Sequence, residues 1–235
     1  MKAIILASGI GKRLQPLTND IPKSLIKIKE KTLIERQIDS FRKCNIEDIV
    51  ITTGHCEEKI RSFLQNRYKE INFSFVFNPQ YDTTNNIYSL WLTKEHVTDD
   101  IILIHGDLVF DEKLLKKIIK EKEKNLALVN KKMEAPKKDF KAVIEDKKIK
   151  KIGVNYFQEN AYLSQPLYKF SKNDFLIWLD EIDEEIKKGK LNNYAEDAFN
   201  NISDKIILKP LYFDKELCME IDTKEDLEEA KKKIK

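Results

Sequence analysis

Ile4-Ile5-Leu6-Ala7-Ser8-Gly9-Ile10-Gly11-Lys12-Arg13-Leu14, continuing through Pro16-Leu17-Thr18 to Pro22-Lys23, is the stretch that decides the fold. Its lead-in, Met1-Lys2-Ala3-Ile4-Ile5-Leu6, reads as a buried strand, and two of the chain's six glycines follow directly. Glycine reaches backbone angles closed to other residues and lets a ligand approach the chain. Successive N–H groups in such a loop cradle phosphates, and Arg13 and Lys23 would add the charge that a triphosphate requires. The plainer reading is a glycine turn carrying two solvated cations. Two familiar phosphate loops do not fit. The pattern G-x-G-x-x-L lacks the third glycine of the dinucleotide fingerprint. A Walker A loop needs four residues between its glycines and Ser or Thr after its Lys, whereas here only Ile10 intervenes and Arg13 follows Lys12.

Outward from this loop, short apolar runs alternate with amphipathic segments. Ala3–Leu6, Ile49–Thr52, Phe73–Phe77 and Ile101–Ile104 read as strands; Thr32–Lys43, Glu57–Tyr68 and Asp111–Lys122 carry apolar residues at helical spacing. Strand alternating with helix predicts an α/β, doubly wound, mostly parallel sheet reached by right-handed crossovers. Beyond residue 125 the pattern changes. Leu126–Val129, Ala142–Ile144 and Lys150–Ile152 read as short strands, and Phe170–Lys188 as a helix with Phe175, Leu176, Leu179, Ile182 and Ile186 on one face. A helix near Tyr194–Ile202, a strand over Ile206–Phe213 and a helix over Thr223–Ile234 follow. With no Gly/Ser linker and no repeat, a single domain over 1–235 is expected, with an insertion or appendage from about 126.

Composition sets bounds. A chain of 235 residues can bury the core of one large α/β domain. Its 43 basic and 40 acidic residues nearly cancel, and a net charge of +3 speaks against a nucleic-acid partner. Lysines interspersed with acids at helical spacing read as solvated helix faces. Cys44, Cys56 and Cys218 are scattered and odd in number, as in a reduced cytoplasmic chain, and His55, His96 and His105 form no metal-ligand spacing. The N-terminal apolar run is too short for a secretion signal, and no run reaches the roughly 18 residues of a membrane span.

The first loop, with Pro16-Leu17-Thr18 and Pro22-Lys23, resembles the signature of the sugar-phosphate nucleotidyltransferase superfamily. That family commonly has Ala at Ser8 and Ser or Thr at Lys12; both positions lie where the backbone does the reading. Three further segments resemble the family in the same order. Asn85-Asn86-Ile87-Tyr88-Ser89-Leu90 is similar to the nucleotide-pocket segment of bacterial phosphocholine cytidylyltransferases, Ile102-Leu103-Ile104-His105-Gly106-Asp107 to the strand ending in a first metal-binding aspartate, and Met219-Glu220-Ile221-Asp222-Thr223-Lys224-Glu225-Asp226 to the motif carrying a second.

The resemblance implies a Rossmann-like nucleotidyltransferase fold, with a nucleotide-binding part over about 1–125 and an acceptor-binding, closing part over 126–235. It implies Mg²⁺-dependent transfer of CMP from CTP to a small, amine-bearing phosphate or phosphonate. Lys23 would contact the reacting phosphate and Arg13 the leaving pyrophosphate. Leu6, Ala7, Ser8, Gly9, Gly11, Asn85, Tyr88, Ser89 and Gly106 would bind the nucleotide. Asp107 and Asp222 would hold Mg²⁺, although Asp222 or Thr223 could equally cap the last helix, with Glu225 or Asp226 completing a capping box. Lys141, Tyr194, Glu196 and Asp197 would form the acceptor pocket; Glu196 and Asp197 could instead join the metal site or cap a helix. Phe140, Tyr156, Phe157 and Tyr162 are available for an aromatic cage around a quaternary amine. Trp178 reads as core, while Trp91 fits either core or pocket. The chemistry needs no protein nucleophile, because a phosphate monoester is largely ionised at pH 7; alignment and charge neutralisation suffice. Three rivals remain: a sugar-1-phosphate nucleotidyltransferase using UTP, dTTP or GTP, a catalytically inactive nucleotide sensor of the same fold, and a dinucleotide oxidoreductase.

Overall fold

In the computed structural model, which describes residues 1–234, the first strand β1 (Lys2–Leu6) lies mid-sheet. After the glycine loop, with single turns at Lys12–Leu14 and Lys23–Leu25, come a short ribbon of β2 (Lys27–Ile28) and β3 (Lys31–Thr32), then α1 (Leu33–Lys43). The α1 start is a capping box: Thr32 Oγ1 accepts from the Glu35 N–H at 3.2 Å, and the Glu35 carboxylate accepts from the Thr32 N–H at 2.7 Å. Next are β4 (Asp48–Thr53), α2 (Glu57–Arg67), β5 (Asn72–Phe77), a short α3 (Asn86–Trp91), β6 (Ile101–His105), β7 (Leu108–Phe110) and α4 (Glu112–Lys120). The strand order β6-β1-β4-β5 is parallel throughout, with Ile5 paired to both Ile51 and Ile104. This is the doubly wound unit that the alternating pattern predicts.

The remaining elements are β8 (Leu126–Asn130), β9 (Lys141–Glu145), β10 (Lys148–Gly153), β11 (Ala161–Phe170), α5 (Lys172–Lys187), α6 (Ala195–Asn201), β12 (Lys209–Tyr212), β13 (Cys218–Glu220) and α7 (Lys224–Lys233). The ten-residue β11 is absent from the sequence reading, yet it joins the two halves, running antiparallel to β6, β8 and β9. Its last eight residues are buried, so it lacks the alternation that marks a half-exposed strand. It also contains Pro166, accommodated where the register against β8 shifts between Gln165 and Tyr168. β12 is shorter than expected, starting at Lys209.

Alternate residues of β1 feed two cores. Ala3 and Ile5 pack with Ile34, Ile38 and Phe41 of α1, Ile60 and Leu64 of α2, and Leu114 and Ile118 of α4. Ile4 and Leu6 face Ile87 and Leu90 of α3, Trp178 and Leu179 of α5, and Phe199 of α6. Trp178 is core as expected, its indole N–H donating to the Ala195 carbonyl at 2.9 Å. Trp91 packs against the second core and donates to Asp183 of α5 at 2.9 Å. A third cluster gathers Leu14 from the glycine loop, Val109 of β7, Ile221 from the turn after β13, and Leu227 of α7. It fixes the loop against the β7–β13 ribbon and so brings residues more than 200 positions apart to one rim.

Candidate active site

The glycine loop leaves the carboxyl end of β1, where open α/β sheets bind ligands. Gly11 takes a left-handed φ of 73°, and a side chain there would meet Lys23 Cβ at 3.1 Å. Its carbonyl accepts from Thr18 Oγ1 at 2.9 Å, closing the loop. Gly106, ending β6, lets that strand touch β1: a Cβ would stand 2.8 Å from the Ala7 Cβ. The turn after it, carrying Asp107, is pinned from behind by buried Gln37 of α1, whose amide donates to the carbonyls of His105 at 3.0 Å and Leu108 at 2.8 Å.

A cleft of about 440 Å³ opens over these elements. Of the expected residues, Leu6, Ala7, Ser8, Gly9, Gly11, Arg13, Lys23, Asn85, Gly106, Asp107, Tyr194 and Asp222 line it. At its charged end the Lys23 ammonium bridges two carboxylates, 2.6 Å from Asp107 Oδ2 and 2.6 Å from Asp222 Oδ1. Burial opposes the lysine charge, but Asp107 and Asp222 outweigh it and hold the Lys23 pKa above the ordinary lysine value. Arg13, mostly exposed, reaches the same Asp222 oxygen at 3.1 Å. Two polar atoms at this end are buried without a partner among the described residues, Asp107 Oδ1 and Ser24 Oγ. A buried polar atom without a partner costs free energy, and both residues line the cleft. The cap question at Asp222 resolves cleanly. Thr223 and Asp226 form the box, Thr223 Oγ1 accepting from the Asp226 N–H at 3.2 Å, while the Asp226 carboxylate accepts from the N–H groups of Thr223 at 2.8 Å and Asp222 at 3.0 Å. That leaves the Asp222 carboxylate for the cleft.

Beneath the floor lies a buried network the sequence did not reveal. His105 Nδ1 sits 3.3 Å from Glu220, and its Nε2 3.5 Å from Glu196 Oε1. Tyr168 donates to the same Glu196 oxygen at 3.0 Å and the Asn86 amide to the other at 3.2 Å. Burial opposes the imidazolium, yet the bonds to Glu196 and Glu220 raise the His105 pKa to about 10. Burial and then Asp107 raise the pKa of Glu220. His105, Asp107 and Glu220 offer ligand atoms within 4.8 Å of one another. His105 Nδ1 lies within hydrogen-bond distance of Glu220 and its Nε2 is 3.2 Å from the Asn86 amide nitrogen, so both ring nitrogens are engaged within this network. No spacing rule links His105 to a glutamate 115 positions away.

The remaining candidates stand apart from the cleft. Glu196 is fully buried and committed to this network. Asp197 accepts from the Tyr194 N–H at 2.9 Å and starts α6. Tyr88 packs on Trp91, ring centroids 5.4 Å apart, and Ser89 lies behind Ser8 at 2.6 Å. Lys141 is buried, donating to the carbonyls of Lys137 at 2.9 Å and Val154 at 3.0 Å, with the Phe157 ring 4.7 Å from its nitrogen. Of the aromatic candidates, Phe140 lines the cleft and meets Tyr194 edge-on at 5.0 Å between centroids; Tyr156, Phe157 and Tyr162 do not line it. A larger cavity of about 950 Å³ between α1, β7, β13 and α7 shares only Lys138 and Glu220 with the cleft and contains none of the glycine loop.

Residues 2–199 match the nucleotidyl transferase family. The chain belongs to that family. It is 39% identical over 110 residues to the choline-phosphate cytidylyltransferase of Streptococcus pneumoniae, covering 47% of this chain and 46% of that protein. It is 32% identical over 137 residues to the CTP:phosphoglutamine cytidylyltransferase of Campylobacter jejuni, covering 56% and 53%. These matches span about half the length of the curated relatives. The solved CTP:phosphocholine cytidylyltransferase of Streptococcus pneumoniae superposes with a TM-score of 0.81, covering 100% of this chain and 99% of that one at 24% identity, and shares the fold. No helix among the described residues is long and apolar enough to cross a membrane.

Proposed function

We propose that the protein transfers CMP from CTP to a small phosphate or phosphonate bearing an amine, releasing pyrophosphate. The carrying observation is the convergence of Lys23, Asp107 and Asp222 beside the glycine loop. The two carboxylates already share one cation, and Asp107 Oδ1 is left over; this donor set fits Mg²⁺, which favours carboxylate oxygens. When bound, Mg²⁺ would neutralise charge on the triphosphate. The loop N–H groups and Arg13 would hold the phosphates, and Lys23, exchanging its carboxylate partners for phosphate oxygens, would stabilise charge at the reacting phosphorus. An ionised oxygen of the acceptor attacks the α-phosphorus as its bond to the bridging oxygen breaks. The electron pair leaves with pyrophosphate, and no protein group must take a proton.

CTP is favoured because two of the relatives the chain resembles carry cytidylyltransferase names. An amine on the acceptor is favoured by the aromatic pair Phe140 and Tyr194 on the cleft wall; a cation against aromatic rings is well served. The test is pyrophosphate release with CTP, UTP, dTTP and GTP in turn, against phosphocholine, phosphoethanolamine, 2-aminoethylphosphonate and glucose-1-phosphate. UTP or dTTP with glucose-1-phosphate as the best pair would replace this reading with a sugar-nucleotide one.

A further inference from the structure

At the end of the cleft away from Asp107 and Asp222 the wall is mostly uncharged, with one exposed carboxylate, Asp82. Ser8, Tyr81, Thr84 and Asn85 line it, and a nucleotide with its phosphates on the charged end directs its base here. Behind this wall runs a chain of hydrogen bonds whose direction can be derived. Asn78, buried at 1% exposure, accepts through Oδ1 from the Gln80 N–H at 2.8 Å. A backbone N–H can only donate, so the other end of the Asn78 side chain is fixed as its NH₂. That NH₂ donates to Ser89 Oγ at 2.9 Å and to Thr84 Oγ1 at 3.2 Å. Thr84 passes its own proton to the Gln80 carbonyl at 2.6 Å. Ser89, already an acceptor, has one acceptor in reach among the described residues, Ser8 Oγ at 2.6 Å. The Ser89 proton therefore points to Ser8, and the Ser8 proton is left without a protein acceptor, at the cleft wall.

We infer that Asn78, Ser89 and Ser8 form a one-way relay that presents the Ser8 hydroxyl to the nucleobase as a donor, selecting a pyrimidine whose N3 is an acceptor. Cytosine N3 carries a lone pair; uracil and thymine carry N–H there and would face Ser8 donor to donor. Ser8 touches the base, while Ser89 and Asn78 are positioning residues that set its polarity. A site built around a hydrogen bond rejects the analogue that cannot make it far more strongly than a merely apolar pocket does. This rests on the CTP reading above and adds the group that makes the choice.

The experiment compares kcat/KM for CTP and UTP, with phosphocholine as acceptor and pyrophosphate release as readout. Ser8→Ala removes the donor at a position where alanine fits the family pattern, so folding should survive; the CTP-to-UTP ratio should fall about tenfold or more, as expected for losing one well-placed hydrogen bond. Asn78→Asp reverses the relay, since a carboxylate accepts from Ser89, Ser89 from Ser8, and Ser8 from the base; its ratio should fall below that of Ser8→Ala. Asn78→Ser, which retains a hydroxyl, should keep part of the preference. If wild type prefers CTP and Ser8→Ala leaves the ratio intact, the relay is overturned while the CTP reading stands. If wild type itself prefers UTP, both fall. Should the aspartate variant not fold, as a thermal melt would reveal, the Ser8→Ala ratio alone decides.

Discussion

The Lys23 ammonium stands 2.6 Å from the Asp107 carboxylate, on the side facing Asp222, so a lysine occupies the place between two aspartates that a divalent cation would take. Lysine and cation then compete for the same oxygens. Lys23→Met should destabilise the resting protein by about 3–5 kcal/mol, the usual cost of leaving buried charge uncompensated. Added Mg²⁺ should restore more of the melting temperature in this variant than in wild type. Equal Mg²⁺ shifts in the two proteins would mean that the aspartates are not a cation site.

Asp107→Asn and Asp222→Asn should each lower turnover by orders of magnitude while leaving a folded protein, because a carboxamide keeps the shape and loses the charge that neutralisation of the triphosphate depends on. Turnover at the wild-type rate in either variant would remove that residue from the site. The Thr223–Asp226 box holds the start of α7 without the Asp222 carboxylate, so the melt of Asp222→Asn should change little relative to its activity.

Glu196 behaves differently. Its two oxygens receive Tyr168, His105 and Asn86, and its pKa stays low because the bonds and charge of His105 overcome the burial that would raise it. Glu196→Gln should cost about 3–5 kcal/mol in stability and lower kcat through displacement of the His105–Asp107 turn. A selective rise in the acceptor KM, with stability unchanged, would instead put Glu196 in contact with the acceptor.

Leu14→Ala should cost about 2–5 kcal/mol, the range for emptying a buried leucine site, because Leu14 is fully buried in the cluster with Val109 and Ile221. Arg13 is its chain neighbour, so the KM for the nucleoside triphosphate should rise with the loss of stability. A melt within 1 °C of wild type would show that the loop is held by other contacts.

The parallel half of the sheet was legible because each strand is a short apolar run ending in turn residues, and because Gly9 and Gly11 follow the first. The charged end of the cleft was legible through local motifs, Gly106-Asp107 and Ile221-Asp222. What stayed hidden depends on distance along the chain or on burial. β11 has no alternating pattern, since its last eight residues are covered and Pro166 interrupts it. Glu196 sits beside another acid and an aromatic, which suggests a pocket, yet its partners His105, Asn86 and Tyr168 are 91, 110 and 28 positions away. Buried Lys141 likewise holds two loop carbonyls instead of facing the cleft. Ser24 and Gln37 carried no sequence signal; an orphaned hydroxyl in the cleft wall and two bonds to the Asp107 turn identify them only in three dimensions.

The most direct measurement of the central claim is isotope exchange without any acceptor variant or mutation. The protein is incubated with Mg²⁺, phosphocholine and CTP labelled at the α-phosphorus, and the products are separated. The account predicts label in a CDP-linked product in one-to-one ratio with pyrophosphate, and none with magnesium chelated. Label appearing only in CMP, or transfer occurring only when UTP and glucose-1-phosphate replace the pair, would contradict it.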